Sequence, residues 1–193
     1  MKIAYRIVAL ISFLFLVSAS TPAQQQQAKK PRASQKASVS QRIGLQTDIK
    51  IDYSRPGVKG RKIWGDLVPY GLAPGNKSSD NKPYPWRGGA NENTTIEFST
   101  NVLVEGNKLP AGKYSLHFIP SETSWVVVFN KNSSQWGSYK YSQQDDALRV
   151  TVTPVKAPFE EWLTYGFDNI TDNSTTAYLH WAELKVPFKI SIE

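Results

Sequence analysis

The chain of 193 residues contains no cysteine. That absence excludes disulfides, thiolate metal sites, a cysteine nucleophile and anchoring through a lipidated cysteine. Stability must come from packing, and a chain of this length can bury a core large enough to supply it. Histidine is nearly as scarce. His117 and His180 are the only two, too few for a zinc set, and nothing in the sequence implies a metal or a cofactor. Gly-rich phosphate loops, Gly-x-Ser-x-Gly elbows and His-Glu-x-x-His are all missing. No window carries a convincing helical period.

Acidic residues are absent from the first 38 positions, which hold Lys2, Arg6, Lys29, Lys30, Arg32 and Lys36. The formal net charge of +7 is therefore misleading. Removing those six cations leaves 17 basic against 16 acidic residues in 39–193. A nucleic-acid binder carries its charge as a patch on the fold, so nucleic acid is excluded as a partner.

The N-terminus reads as a leader. Lys2 and Arg6 precede an apolar run from Ile7 to Val17, and small residues follow (Ser18-Ala19-Ser20, then Thr21-Pro22-Ala23). This is the order of a signal peptide over 1–23. The run falls short of the roughly 20 residues that span a bilayer, so no membrane span is expected after cleavage. The expectation is export to the periplasm or beyond the cell. Residues 24–38 are polar and low in complexity, and read as a disordered spacer.

From Val39 onward apolar residues recur with period two. Ile49 and Ile51, Ile96 and Phe98, Tyr114, Leu116 and Phe118, and Leu148, Val150 and Val152 each mark one face of a strand. Phe159, Leu163, Tyr165 and Phe167, then Ala177, Leu179 and Trp181, then Val186, Phe188, Ile190 and Ile192 follow suit. Trp125 to Phe129 is apolar on both faces and belongs inside a sheet. Gly106-Asn107 and Pro110-Ala111-Gly112 supply turns. The expected fold is all-β: an antiparallel, jelly-roll-like β-sandwich over 39–193, with about eight to ten strands. Residues 54–90 break the pattern and read as a long loop excursion. Excursions of that length tend to be functional or disordered.

Two polar clusters touch the excursion. In Asp52 to Lys62, four cations fall within eight residues, and Arg55 and Arg61 are suited to grip a carboxylate, sulfate or phosphate. The plainer alternative pairs them with Asp52, Asp66 or Glu92 as weak surface bridges. The second cluster is Trp86-Arg87-Gly88-Gly89-Ala90-Asn91-Glu92. A planar indole beside guanidinium, amide and carboxylate groups suits a sugar ring. The alternative is that Arg87 and Glu92 pin the loop.

His117 falls on the polar face of its strand. It is either a surface histidine or an acid–base group meeting Glu92 or Glu97. Among six Trp, nine Tyr and eight Phe, Trp125, Tyr114 and Trp181 read as core. Tyr84, Trp86, Trp136, Tyr139 and Tyr141 form either a stacking platform or a lid on the core.

Several separated blocks point to a family: Asp52 to Arg61, Leu67-Val68-Pro69-Tyr70-Gly71, Gly89-Ala90-Asn91-Glu92, Leu109 to Leu116, and Asn130 to Gly137. In this order, over about residues 38–190, they resemble a family of exported bacterial proteins catalogued as domain of unknown function 2911. The family passes quickly from Val-Pro-Tyr-Gly to a Trp-Arg-Thr-Gly-Ala-Asn-Glu block. Here Leu72 to Pro85 intervene, and Gly88 stands in place of the Thr. The resemblance implies a bacterial cell-envelope setting and brings no activity with it.

From the residues, three functions are expected in turn. The first is a binding module for a carbohydrate-like or small anionic ligand at Arg55, Arg61, Trp86, Arg87, Asn91, Glu92 and His117. The second is a glycoside-type hydrolase using Glu92, with a second carboxylate about 5–10 Å away. The third is a structural cell-envelope interaction protein in which Arg55, Arg61 and Glu92 form a buried ionic network.

Overall fold

A computed structural model describes residues 30–192. The expected signal peptide (1–23) and the first part of the expected polar spacer (24–29) lie outside the described residues. Ten strands follow one another: β1 (Gln35–Ile43), β2 (Thr47–Arg55), β3 (Thr95–Phe98), β4 (Val102–Val104), β5 (Asn107–Leu109), β6 (Gly112–Ile119), β7 (Trp125–Asn130), β8 (Asp146–Val152), β9 (Val155–Asp168) and β10 (Ser174–Ile192). Among the described residues, no helix is long and apolar enough to cross a membrane.

The strands form two antiparallel sheets, one of six in the order β1-β2-β3-β6-β7-β8 and one of four in the order β5-β4-β10-β9. This is a β-sandwich. Alternation decides which side chains meet between the layers, because successive residues of a strand point to opposite faces. Ile49, Ile51, Ile96, Phe98, Leu116, Phe118, Val127 and Phe129 from the first sheet meet Leu163, Tyr165, Leu179, Trp181, Val186, Phe188 and Ile190 from the second. β7, as its two apolar faces suggested, is hydrogen-bonded on both sides, to β6 and β8.

The two apolar runs 177–181 and 186–192 belong to one strand. Trp181 is odd in the alternation and Val186 even; between them Ala182 adopts φ 52° and the pairing with β9 shifts register. A bulge of this kind adds a residue and moves the inward face from odd to even positions. The same irregularity leaves Phe159 of β9 59% exposed, although it continues the spacing of Leu163.

Two expectations need correcting. Residues 35–38, assigned to the disordered spacer, are ordered in β1 and pair with Arg55, Ser54, Tyr53 and Asp52. Their polar composition conceals this because an edge strand can bond its backbone without burying much side chain. Secondly, His117 is not at the surface: it is fully buried. It does point away from the sandwich core, but residues 131–145 fold back over that face. Ser115 Oγ donates to the Asn132 carbonyl at 2.7 Å, Asn130 Nδ2 to the Ser142 carbonyl at 2.9 Å, and Asn93 Nδ2 to the Ser133 carbonyl at 3.1 Å.

The excursion connects β2 to β3, which are neighbours in the same sheet. Instead of turning directly, residues 56–94 run over one end of the sandwich. Val58 N–H donates to the Glu161 carbonyl at 2.8 Å, and Leu163 N–H to that of Pro56 at 3.0 Å, which docks the excursion on β9. Val58, Ile63 and Val68 are buried in the main core. The intervening residues 72–85 close on themselves through paired Ala73 and Tyr84. The Asn76 side chain caps a single 3-10 turn there, accepting from Ser78 and Ser79 amides at 2.8 and 3.2 Å.

Candidate functional site

Four of the six tryptophans meet where the excursion crosses the sandwich. Trp64 is at the centre, edge-on to Trp86, Trp125 and Trp181 with ring centroids 5.8, 5.0 and 5.9 Å apart. Trp86 and Trp181 are stacked at 6.1 Å and 14°. Trp86 is held there by reciprocal backbone bonds with Phe118, each 2.8 Å. Offset and edge-to-face aromatic contacts add favourable energy to the burial itself, about 0.5–1.5 kcal/mol per pair.

A cleft of about 430 Å³ opens over this cluster. Its charged lining is Lys59, Arg61 and Arg87; Asn91 and Ser34 add polar groups, Trp86 contributes indole surface, and Trp181, 1% exposed, stacks against Trp86. No carboxylate lines it among the described residues. The size falls in the usual range for small-molecule sites.

Arg87, the residue after Trp86, also lines the cleft. The Arg87 guanidinium lies 4.9 Å from the Tyr139 ring centroid, and its Nη1 donates to the Asn91 carbonyl at 2.5 Å. Asn91 sits at φ 60°, a conformation asparagine tolerates better than most residues. Two glycines make the approach possible. At Gly88 (φ 61°) a Cβ would lie 2.7 Å from a Phe118 ring carbon; at Gly137 (φ 61°) it would lie 2.6 Å from the Arg87 guanidinium carbon. The Gly88 carbonyl accepts from the buried Tyr165 hydroxyl at 2.8 Å.

The remaining candidates are elsewhere. Arg55 does not line the cleft; its Nε donates to the Leu163 carbonyl at 2.9 Å and its Nη2 to Thr164 Oγ1 at 2.6 Å, riveting β2 to β9. Arg61 lines the cleft while bracing its own turn, donating to the Val58 and Gly57 carbonyls at 3.1 and 2.6 Å. The buried ionic network of Arg55, Arg61 and Glu92 is thus not formed.

Glu92 turns away from the cleft. Arg32 grips it with Nη1 to Oε1 at 2.8 Å and Nη2 to Oε2 at 2.5 Å, while Ser54 Oγ donates to Oε2 at 3.1 Å. These donors, the Arg32 guanidinium foremost, hold the Glu92 carboxyl down at about 2. Asp52 lines the same side groove as Glu92. Burial works against its ionisation, but the Lys50 ammonium and Ser38 hydroxyl outweigh it and keep its carboxyl below the usual range. A Glu92 carboxyl held that low is ionised at neutral pH and has no proton to donate as a general acid.

His117 is behind the site rather than in it. Its ring faces Tyr141 at 6.0 Å, edge-on, and neither ring nitrogen has a partner among the described residues. Burial, aided by the nearby Arg87 charge, pushes its pKa down to about 3. Tyr141 donates to Asp146 at 2.8 Å and is bonded by Arg149; burial first, and Asp146 second, push its hydroxyl up to about 12. The proposed aromatic platform is split: Trp86 joins the tryptophan cluster, Tyr84 and Tyr139 meet edge-on at 5.1 Å, and Trp136 stands 60% exposed. No group of three or more His, Asp or Glu is placed to hold a metal among the described residues.

Sequence reasoning overlooked Arg32, Lys59, Trp64 and Ser54. Arg32 was assigned to the spacer, and Lys59 and Ser54 were read only as parts of a basic turn. The one available signal for Trp64 was an apolar residue between Ile63 and Gly65 in an otherwise polar stretch. No curated protein and no solved structure matches the chain. A family model described as "Protein of unknown function (DUF2911)" matches residues 34–190, most of the chain, and the chain belongs to that family.

Proposed function

We propose that this is an exported binding module whose cleft takes a small anionic, carbohydrate-like ligand, such as a sugar acid or sugar phosphate. The carrying observation is the lining: Lys59, Arg61 and Arg87, with no carboxylate among the described lining residues, beside the Trp86 indole that Trp181 backs. Guanidinium groups suit planar or tetrahedral oxyanions, and an indole suits the apolar face of a pyranose. Asn91 offers an amide able both to donate and to accept, the property needed to read a hydroxyl. Arg87 is pre-positioned by Asn91, Tyr139 and Gly137, so little side-chain freedom is lost on binding. Export to the periplasm or extracellular space is part of the same reading and rests on the leader-like residues 1–23.

The test is a thermal-shift screen of the mature chain against uronic acids, sugar phosphates, neutral sugars and inorganic anions. Anionic sugars are expected to raise the melting temperature, neutral ones not, and the Arg87→Ala protein is expected to lose the shift. A response to neutral sugars that survives in Arg87→Ala would overturn the reading.

A further inference from the structure

One wall of the cleft is made by residues upstream of the first strand. Ala33 and Ser34 line it, yet β1 begins only at Gln35. These two small residues carry almost no apolar surface with which to dock. Among the described residues, 31–34 make no backbone–backbone hydrogen bond outside strands. What fixes them is Arg32. Its two-pronged grip on Glu92 is joined by a bond from Nη2 to Ser54 Oγ at 3.0 Å, and Gln35 Nε2 donates back to the Arg32 carbonyl at 2.8 Å. Lys36 is farther off, its Nζ 3.5 Å from Glu92 Oε1. Glu92 in turn follows Asn91, whose carbonyl holds Arg87. The clamp therefore ties the upstream segment to the same turn that aims the cleft's amide and guanidinium.

We propose that residues 32–34 are a strap completing the cleft, latched by Arg32 on Glu92, and that these two are positioning residues for whatever the cleft binds. Releasing the latch frees Ala33 and Ser34 from the wall and exposes the indole floor. Glu92 contributes by holding the strap, with its carboxylate facing away from the ligand space. Planar bidentate geometry makes arginine the appropriate latch, and a lysine there would grip less well. The consequence for affinity rests on the binding reading above, whereas the strap itself can be tested without a ligand.

The mature chain carrying Trp136→Phe and Trp162→Phe loses its two exposed indoles, so its emission reports Trp64, Trp86, Trp125 and Trp181. In that background, Arg32→Ala and Glu92→Gln are each expected to raise the acrylamide quenching constant about two-fold. The double variant should go no further than either single one, because two halves of one contact are not additive. Arg32→Glu with Glu92→Arg should restore low quenching, and Lys36→Ala should leave it unchanged. Unchanged quenching in both single variants, or equal quenching in Lys36→Ala, overturns the strap. Circular dichroism of each variant separates strap release from unfolding, and the charge-swapped pair keeps the test decisive if a single variant misfolds. Titration of the same proteins with glucuronate then reads the consequence: binding that weakens with the latch supports it, and binding indifferent to the latch contradicts it. Failure of glucuronate and phosphate to bind the unaltered chain counts against the binding reading and leaves the quenching result standing.

Discussion

Replacing His117 with leucine removes a buried group whose protonation opposes folding. In the folded protein its pKa is about 3; in the unfolded chain it returns to its ordinary value of 6.5. Between those values the unfolded state binds the extra proton, so stability falls as pH falls, with a limiting slope of about 1.4 kcal/mol per pH unit. At pH 5.0 this imidazole alone costs the native state about 2 kcal/mol relative to pH 7.5. The groups facing it are the Tyr141 ring, the Arg87 charge, and Val128 paired opposite on β7, and among the described residues neither ring nitrogen has a hydrogen-bond partner. For a domain of this size, the cost corresponds to a melting-temperature drop of roughly 4–8 °C. Urea unfolding at pH 7.5 and 5.0 is the assay, with each protein compared with itself so that any repacking cost of leucine cancels. The wild type should lose about 2 kcal/mol more than His117→Leu on acidification. His180 is common to both proteins and drops out. An identical pH dependence in the two proteins would refute the burial and isolation of this ring.

Other perturbations follow from the same contacts. Glu92 has a folded pKa depressed to about 2 from 4.5, so its contribution is present above 4.5 and is lost as pH falls from there towards 2; acid titration of stability in Glu92→Gln should be flatter across that window. Gly88→Thr places a β-branched side chain at φ 61° against Phe118 and should destabilise by about 3 kcal/mol or more. A melting temperature unchanged in that variant would mean the loop takes another path. Arg55→Ala unties β2 from the Leu163 carbonyl and should cost about 1–3 kcal/mol in chemical denaturation. Arg87→Ala should leave the melting temperature within about 2 °C of wild type, since this guanidinium is half-buried and braces one carbonyl.

Much of the sandwich was legible because alternation is a local property. Ile49, Ile51, Ile96, Phe98, Leu116 and Phe118 face the core as their spacing requires. What alternation cannot report is whether the opposite face is covered. Ser115 and His117 lie on the polar face of their strand, yet 131–145 buries them by bonding its backbone to Ser115, Asn130 and Asn93, contacts spread over sequence separations the period cannot register. The bulge at Ala182 was equally hidden: the change of parity between Trp181 and Val186 was visible, but looked like two strands rather than one. Trp86, Arg87 and Asn91, which line the cleft, stand out in the sequence because a glycine-broken loop with mixed polar groups is unusual in itself. Arg55 and Glu92 offered the same chemistry in sequence; their partners, the β9 carbonyls and Arg32, are 108 and 60 residues away. The latch was out of reach for a simpler reason, since Arg32 lies among residues whose composition reads as disorder.

The most direct measurement is a two-dimensional NMR titration of the nitrogen-labelled chain with glucuronate, and with glucose as its neutral counterpart, following the six indole N–H signals. Glucuronate should shift the Trp86 and Trp181 resonances in a saturable way, leave exposed Trp136 unmoved, and do neither in Arg87→Ala; glucose should shift nothing. Saturable shifts confined to Trp136 or Trp162, or equal responses to both sugars, would contradict the assignment of the cationic cleft as the binding site.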